Sequence, residues 1–337
     1  VVDSDVPMPA SFSSSKVEAA NKLTMTWSTP KAVNKRMTED FEQYDSWAIN
    51  QFGDWTTYTG KKGNTTGGWW ASYGMPFPHE GEKYTYIVFN PEAIQPGITS
   101  QNSSIAPRSG EKCLMSMYSL DGRTYYDTDD WLISPMLSGE AQTVMFWANN
   151  GQPDMMNIRY PQTIEVLYSD KTADHADFKK VSTFTQSGGK WNSYTAELPD
   201  GANYFAIRCT TKEADAFCLL LDDVYYYAGY GKLKGYNVYR NDELIATLPA
   251  DATSTTVTYD PNAEATLYSV SAVFVGGEST AAYDEACQTD IHNVTIDAQH
   301  PADVYTVDGR IVRKNAISLA QLPKGIYVVN GKKIVKK

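Results

Sequence analysis

The stretch Phe217 to Tyr227, FCLLLDDVYYY, sets the tightest constraint on what this chain can fold into. Apolar and aromatic residues dominate it, so it reads as a buried strand. Two adjacent carboxylates, Asp222 and Asp223, interrupt the run. Side chains on a regular strand alternate faces, which sends the two acids opposite ways. One of them then shares a face with apolar neighbours, where a carboxylate is costly unless it is hydrogen-bonded or holds a cation. Far upstream, Asp40-Phe41-Glu42 places more acids beside an aromatic. If the two segments are the first and last strands of one sandwich, they pair side by side. Their oxygens then converge on a hard cation such as calcium. Solvated acids at a strand end are the alternative in a chain with 40 Asp and Glu.

The rest of the chain also favours strands. Leu23-Thr24-Met25-Thr26-Trp27 alternates apolar and polar residues and stops at Ser28-Thr29-Pro30, a half-buried strand too short to bury a core alone. Its partners come after residue 230. Gly235 to Arg240 is one strand, and Leu244, Ala246 and Leu248 share the inner face of the next. Thr255 to Tyr259 follows, then Leu267 to Phe274 with Tyr268, Val270 and Ala272 on one face, closed by Gly276-Gly277. Between these halves lie strand candidates at Asp130–Ser134, Val144–Ala148, Thr163–Tyr168 and Asn203–Cys209. No stretch has a capped helical period, so the fold class is all-β.

The order of Trp27, Gly235-Tyr236-Asn237-Val238-Tyr239-Arg240, Tyr268 and Gly276-Gly277 resembles a fibronectin type III sandwich. In that family one loop separates the Trp strand from the Tyr-Val-Tyr strand, and here a whole domain intervenes. An insertion and a truncated first sandwich followed by an unrelated second both fit the pattern. Insertion is the favoured arrangement, because loop tips tolerate it. It divides the chain into a split fibronectin-like domain (1–35 and 229–290), an inserted jelly-roll sandwich (36–228) and a C-terminal β-hairpin module (291–337).

Within the insert, Asp40-Phe41-Glu42, Trp55, Asp129-Asp130-Trp131-Leu132-Ile133-Ser134-Pro135, Phe146-Trp147, Trp191 with Tyr194 and Leu198-Pro199, and Leu221-Asp222-Asp223 succeed one another. The series resembles the adhesin modules cleaved from large surface proteases and haemagglutinins of oral and gut bacteria. It is similar also to MAM domains and jelly-roll carbohydrate-binding modules. The resemblance implies a structural calcium between the opening acidic strand and the closing Leu-Asp-Asp strand, held by Glu42 and Asp222 first and by Asp40 and Asp223 next.

Residues 303–337 carry eight Lys or Arg against two Asp, a basic end on a chain of net charge −11. Asp308-Gly309 and Asn330-Gly331 each sit between apolar alternations, the strongest short-range hairpin signal. The segment resembles the C-terminal sorting domain of the type IX secretion pathway, although it lacks the early Pro-Asn-Pro strand of many members. The negative charge argues against nucleic acid and anionic membranes as partners. No apolar run reaches the ~20 residues of a membrane span. The chain opens at Val1 without a signal-like core, so an export signal is expected to have been removed or to lie outside this sequence.

Catalytic signatures are few. His79, His175, His292 and His300 are scattered in polar settings, without a zinc helix or a nucleophile elbow. Cys209 and Cys218 are candidates to bridge neighbouring strands, and with Cys113 and Cys287 three pairings are open. The Gly/Pro-rich stretch 67–78 carries Trp69, Trp70 and Tyr73, which either stack on sugar rings, anchor a protein, or plug the core. Trp55 and Tyr58 are candidates for the same surface. The expectation is a secreted or cell-surface protein that binds rather than catalyses, with a host or matrix protein, or a glycan, as partner. An accessory module of a larger protease or glycosidase is the further alternative.

Overall fold

The computed structural model describes residues 2–3, 5–65, 78–94, 103–152, 159–260, 266–287, 299–320, 322–323, 325–330 and 332–336 of the 337. The described residues contain strands and short 3-10 turns but no α-helix. They divide into two compact units, one of Ala32–Leu233 with Phe274–Gly277, the other of Val2–Lys31, Lys234–Val273 and Glu278–Lys337.

The first unit is a two-sheet antiparallel sandwich. Its principal strands are β1 (Lys35–Glu39), β2 (Thr56–Thr59), β3 (Ile87–Phe89), β4 (Cys113–Met117), β5 (Asp130–Ile133) and β6 (Gln142–Asn149). They continue with β7 (Gln162–Ser169), β8 (Lys179–Gln186), β9 (Asn192–Leu198), β10 (Tyr204–Cys209) and β11 (Cys218–Ala228). One sheet runs β8-β7-β10-β5-β2. The other runs β9-β6-β11-β4-β3, with β1 also paired to β11. The first and last strands pair, Glu39 opposite Val224 and Lys35 opposite Ala228, but Asp40-Phe41-Glu42, expected on the opening strand, lies past its end in a turn.

The core between the sheets takes Val144, Phe146, Leu219, Leu221, Val224 and Tyr226 from one side and Leu132, Ile164, Val166, Phe205 and Ile207 from the other. The six-stranded sheet is also covered on its far face, where Met115, Met117, Cys218 and Leu220 pack with Ile87, Phe89 and Phe217. Covering on both faces explains why Cys218–Leu221 is continuously apolar rather than alternating.

The cysteines correct the sequence reading. Cys209 ends β10 in one sheet and Cys218 begins β11 in the other, so they are not on neighbouring strands. All four cysteines are free and buried. Cys218 Sγ donates instead to the Asn150 carbonyl at 2.8 Å.

The second unit pairs Lys22–Ser28 with Ala10–Val17 and Ser254–Thr258 in a three-stranded sheet. A five-stranded sheet holds Val2–Asp3, Gly277–Ser279, Tyr268–Phe274, Leu233–Arg240 and Glu243–Pro249 in that order. Leu23, Met25 and Trp27 are buried as the alternation requires, and the Trp27 ring lies 5.1 Å from that of Tyr236. Leu244 was expected on an inner face and is 51% exposed. Its strand is the sheet's last, and a register shift between Val238 and Tyr239 displaces its start. The two C-terminal hairpins join into one sheet, because Ala302–Thr306 also pairs with Gly325–Val329. Val304, Leu322, Tyr327, Val329 and Ile334 close its small core.

Candidate functional site

Strand β11 changes partners halfway along. Cys218–Leu221 pairs with β4, and Val224–Ala228 pairs with β1. Asp222 and Asp223 occupy the gap between the two ladders. Here Asp223 adopts a positive φ of 45°, and the register against β6 shifts between Met145 and Trp147. The bulge resets the strand's alternation: Leu219 and Leu221 face the inter-sheet core before it, and Val224 and Tyr226 after it. An unbroken strand would have pointed Asp223 into that core.

The expectation of opposite directions for the two acids is therefore overturned, because both reach the segment preceding β4. Asp222 Oδ2 accepts from the backbone N–H of Arg108 at 2.9 Å and of Ser109 at 3.2 Å. Asp222 Oδ1 accepts from the Asp223 N–H at 2.8 Å. Asp223 takes the Arg108 guanidinium and the Ser109 hydroxyl, the latter at 3.1 Å. Arg108 lies over the Trp147 ring, 4.2 Å from its centroid.

Glu42 approaches the same segment. Its Oε1 accepts from the N–H groups of Glu111 at 2.9 Å and Lys112 at 2.7 Å. The carboxylate packs over Gly110, where an added Cβ would stand 2.3 Å from Oε1. Lys112 Nζ donates back to the carbonyls of Glu42 and Tyr44. Asp40 accepts from the Glu42 N–H at 3.2 Å and thus shapes the turn. Phe41, buried with φ 60°, reverses the chain, so Glu39 and Glu42 have different partners.

Burial, opposed by the backbone donors and reinforced by the charge of Asp223, pushes the Asp222 carboxyl up to about 7. Beneath, burial and then the fields of Asp222 and Glu42 push the Cys113 thiol up. The donors suit a hard cation, since all are carboxylate oxygens. They are also already occupied by N–H and O–H groups, with Arg108 as local counter-charge. Among the described residues, no three His, Cys, Asp or Glu side chains close on one point. Sequence reasoning named the four acids but not Arg108, Ser109, Gly110 and Lys112, which the structure brings to them. Their only local sign is the turn-forming series Pro107-Arg108-Ser109-Gly110 just before β4.

Trp69, Trp70 and Tyr73 lie outside the described residues. Trp55 is not part of a binding surface of the expected kind: it is 1% exposed, edge-on to Phe205 and Tyr226, with Nε1 donating to Glu39. Tyr58 lies on the outer face of the five-stranded sheet, stacked at 3.6 Å on His175. His79 contacts Glu82, and His175 contacts Asp174.

No family model matches the chain. Among curated proteins it is similar to Lys-gingipain W83 of Porphyromonas gingivalis, 26% identical over 279 residues, which covers 70% of this chain and 15% of that protein. It is likewise 26% identical over 279 residues to hemagglutinin A of P. gingivalis strain ATCC BAA-308 / W83, covering 12% of that protein. The chain thus spans only a small part of the relatives it matches. Among solved structures, the K2 cleaved adhesin domain of Lys-gingipain aligns with TM-score 0.39 and 20% identity over 57% of this chain and 98% of that domain. The CBM22-2 xylan-binding domain from Paenibacillus barcinonensis aligns with TM-score 0.32 and 13% identity over 57% and 99%.

Proposed function

We propose that this chain is an adhesion module of a secreted or cell-surface protein, and that it binds rather than catalyses. The observation that carries this reading is the 279-residue similarity to Lys-gingipain and hemagglutinin A, which takes in most of the chain. The first unit is the binding head. The second, with its apposed Trp27 and Tyr236 rings, is a fibronectin type III-like stalk. The basic C-terminal sheet is a sorting or end module. Among the described residues no helix is long and apolar enough to cross a membrane.

In this reading Glu42 and Asp222, supported by Asp40 and Asp223, hold a structural calcium that ties the partner switch of β11 to the segment before β4. What supports it is the local charge: Asp40, Glu42 and the two buried aspartates stand against Arg108 on Asp223 and Lys112 on the Glu42 carbonyl, four acids to two cations. The ion would add stability and rigidity to the head, not chemistry.

The test is retention of the purified chain on coats of collagen, laminin and fibronectin, and on fixed red cells. Saturable retention on any coat, competed by soluble chain, is the expected result. Absence of retention on every coat, with a folded chain in calcium, would remove the reading.

A further inference from the structure

The first unit holds a cleft of about 850 Å³ at the edge of the sandwich where β1 lies near β2. That volume suits a small organic ligand. Its walls come from both sheets: Glu39 and Tyr226 belong to β1 and β11, while Trp55, Thr56 and Tyr204 lie at the start of β2 and β10. Tyr44 and Asp54, from the connection between β1 and β2, line its mouth.

Glu39 is the cleft's anchor. It is 7% exposed, and its carboxylate accepts from four groups. The Phe41 N–H reaches Oε1 at 2.9 Å, and the Tyr44 hydroxyl and Trp55 Nε1 reach Oε2 at 2.9 and 3.1 Å. The Gln43 carboxamide reaches Oε2 at 3.3 Å and the Tyr44 oxygen at 3.1 Å. A buried carboxylate with this set of donors fixes the orientation of a phenol and a carboxamide at a cleft lined also by Met37, Pro135, Met136, Tyr204 and Tyr230. Burial and the Glu39 charge push the Tyr44 phenol upward, so it stays protonated at all ordinary pH.

Partly exposed Tyr204 and Tyr230 supply flat apolar surface, and Gln43 and Asp54 supply exposed hydrogen-bonding groups beside it. A pyranose ring is the complement of such a site, with a C–H face for an aromatic and hydroxyls for carboxylate and carboxamide. Two carboxylates against one lysine, Lys35, make the lining net negative, which disfavours uronic or sialic acids. We propose that this cleft binds a neutral oligosaccharide, stacked on Tyr204 and Tyr230 and hydrogen-bonded by Gln43, Tyr44 and Asp54. The proposal names a ligand class for the binding head and rests on the reading of that head as a binder.

The experiment is calorimetric titration of the full chain with neutral hexasaccharides of the gluco, manno and xylo series. It is run on wild type, Tyr204→Ala, Gln43→Ala and Glu197→Gln, with thermal melts to confirm folding. The expected result is binding of at least one series, weakened about tenfold or more by both cleft variants and unchanged in Glu197→Gln, which lies on β9 outside the cleft lining. Silence with every hexasaccharide at about 10 mM, beyond a weak ~1 mM Kd, overturns the proposal. So does binding that survives both cleft variants. Retention on the protein coats is scored separately. Coat retention without sugar binding sinks the cleft and leaves the adhesion reading. Sugar binding without coat retention does the reverse.

Discussion

Asp130 on β5 and Asp222 on β11 are both wholly buried, one in each sheet of the same sandwich. Asp130 has a dedicated partner: Lys61 Nζ is 2.7 Å from Oδ2, both side chains are inaccessible, and the Ser116 hydroxyl donates at 2.6 Å. Lys61 also donates to the Met117 carbonyl, so little of its polarity is left bare. Burial raises the Asp130 carboxyl and Lys61 pulls it back. Asp222 has no cation of its own. It accepts three backbone N–H groups, while Arg108 goes to Asp223 next door. One site is a closed pair and the other is a cluster with surplus negative charge. The difference separates a structural ion pair from a place where a cation or a proton can still be gained.

The largest test breaks the closed pair. Lys61→Met strands the Asp130 charge and is expected to cost about 3–5 kcal/mol by chemical denaturation. Adding Asp130→Leu should recover most of the loss, because apolar packing then replaces both charges. A single variant as stable as wild type would contradict the geometry.

A second test uses pH in the presence of chelator. The folded carboxyl of Asp222, at about 7, lies above the usual unfolded value, so the folded state holds the proton more tightly. Its contribution is full below about pH 4 and is lost as pH rises through 7, a decline of about 3 kcal/mol between pH 5 and 8. Asp222→Asn should flatten that slope. A profile unchanged by Asp222→Asn would refute the assignment.

Calcium gives the next effect. At a hundredfold excess over Kd, one site on the native state adds about 2.7 kcal/mol, read as a rise in melting temperature over chelator. Glu42→Ala should abolish the rise, whereas the Lys61→Met, Asp130→Leu double variant should keep it. Equal melting in calcium and chelator would leave the acids simply hydrogen-bonded. Smallest is Gly110→Ala. The new Cβ meets Glu42 at a residue whose φ is 60°, so a loss of about 1–2 kcal/mol is expected, with a reduced calcium response.

Much of the sandwich is readable in the sequence, because strand type follows from local pattern. Leu23, Met25 and Trp27 are buried as their alternation demands, and Val144 to Ala148 forms the strand its apolar run demands. The pairing of β1 with β11 follows from the ordered acidic and aromatic series. What alternation cannot reveal is where it breaks. The bulge at Asp223 is a single backbone choice, favoured because it keeps a carboxylate out of the core, and the residue names alone do not locate it. Partners joined across the fold are equally hidden: nothing near Lys61 announces Asp130, and nothing near Glu42 announces Gly110. The misplacement of Leu244 has the same origin, since an edge strand has alternation but no second neighbour to enforce it.

The composition of the second unit from segments before and after Ala32–Leu233 has a consequence for biosynthesis. Leu23, Met25 and Trp27 leave the ribosome long before Tyr236, Val238 and Val270, against which their unit closes. During that interval the early strands have no complete core to join, while Ala32–Leu233, nearly all of the first unit, is made. The second unit therefore closes last, and its closure reports that the intervening sandwich is finished. A released chain ending at residue 233 would carry nearly all of the first unit and an unsealed pair of strands, and those strands would be the segment that chaperones and proteases meet first.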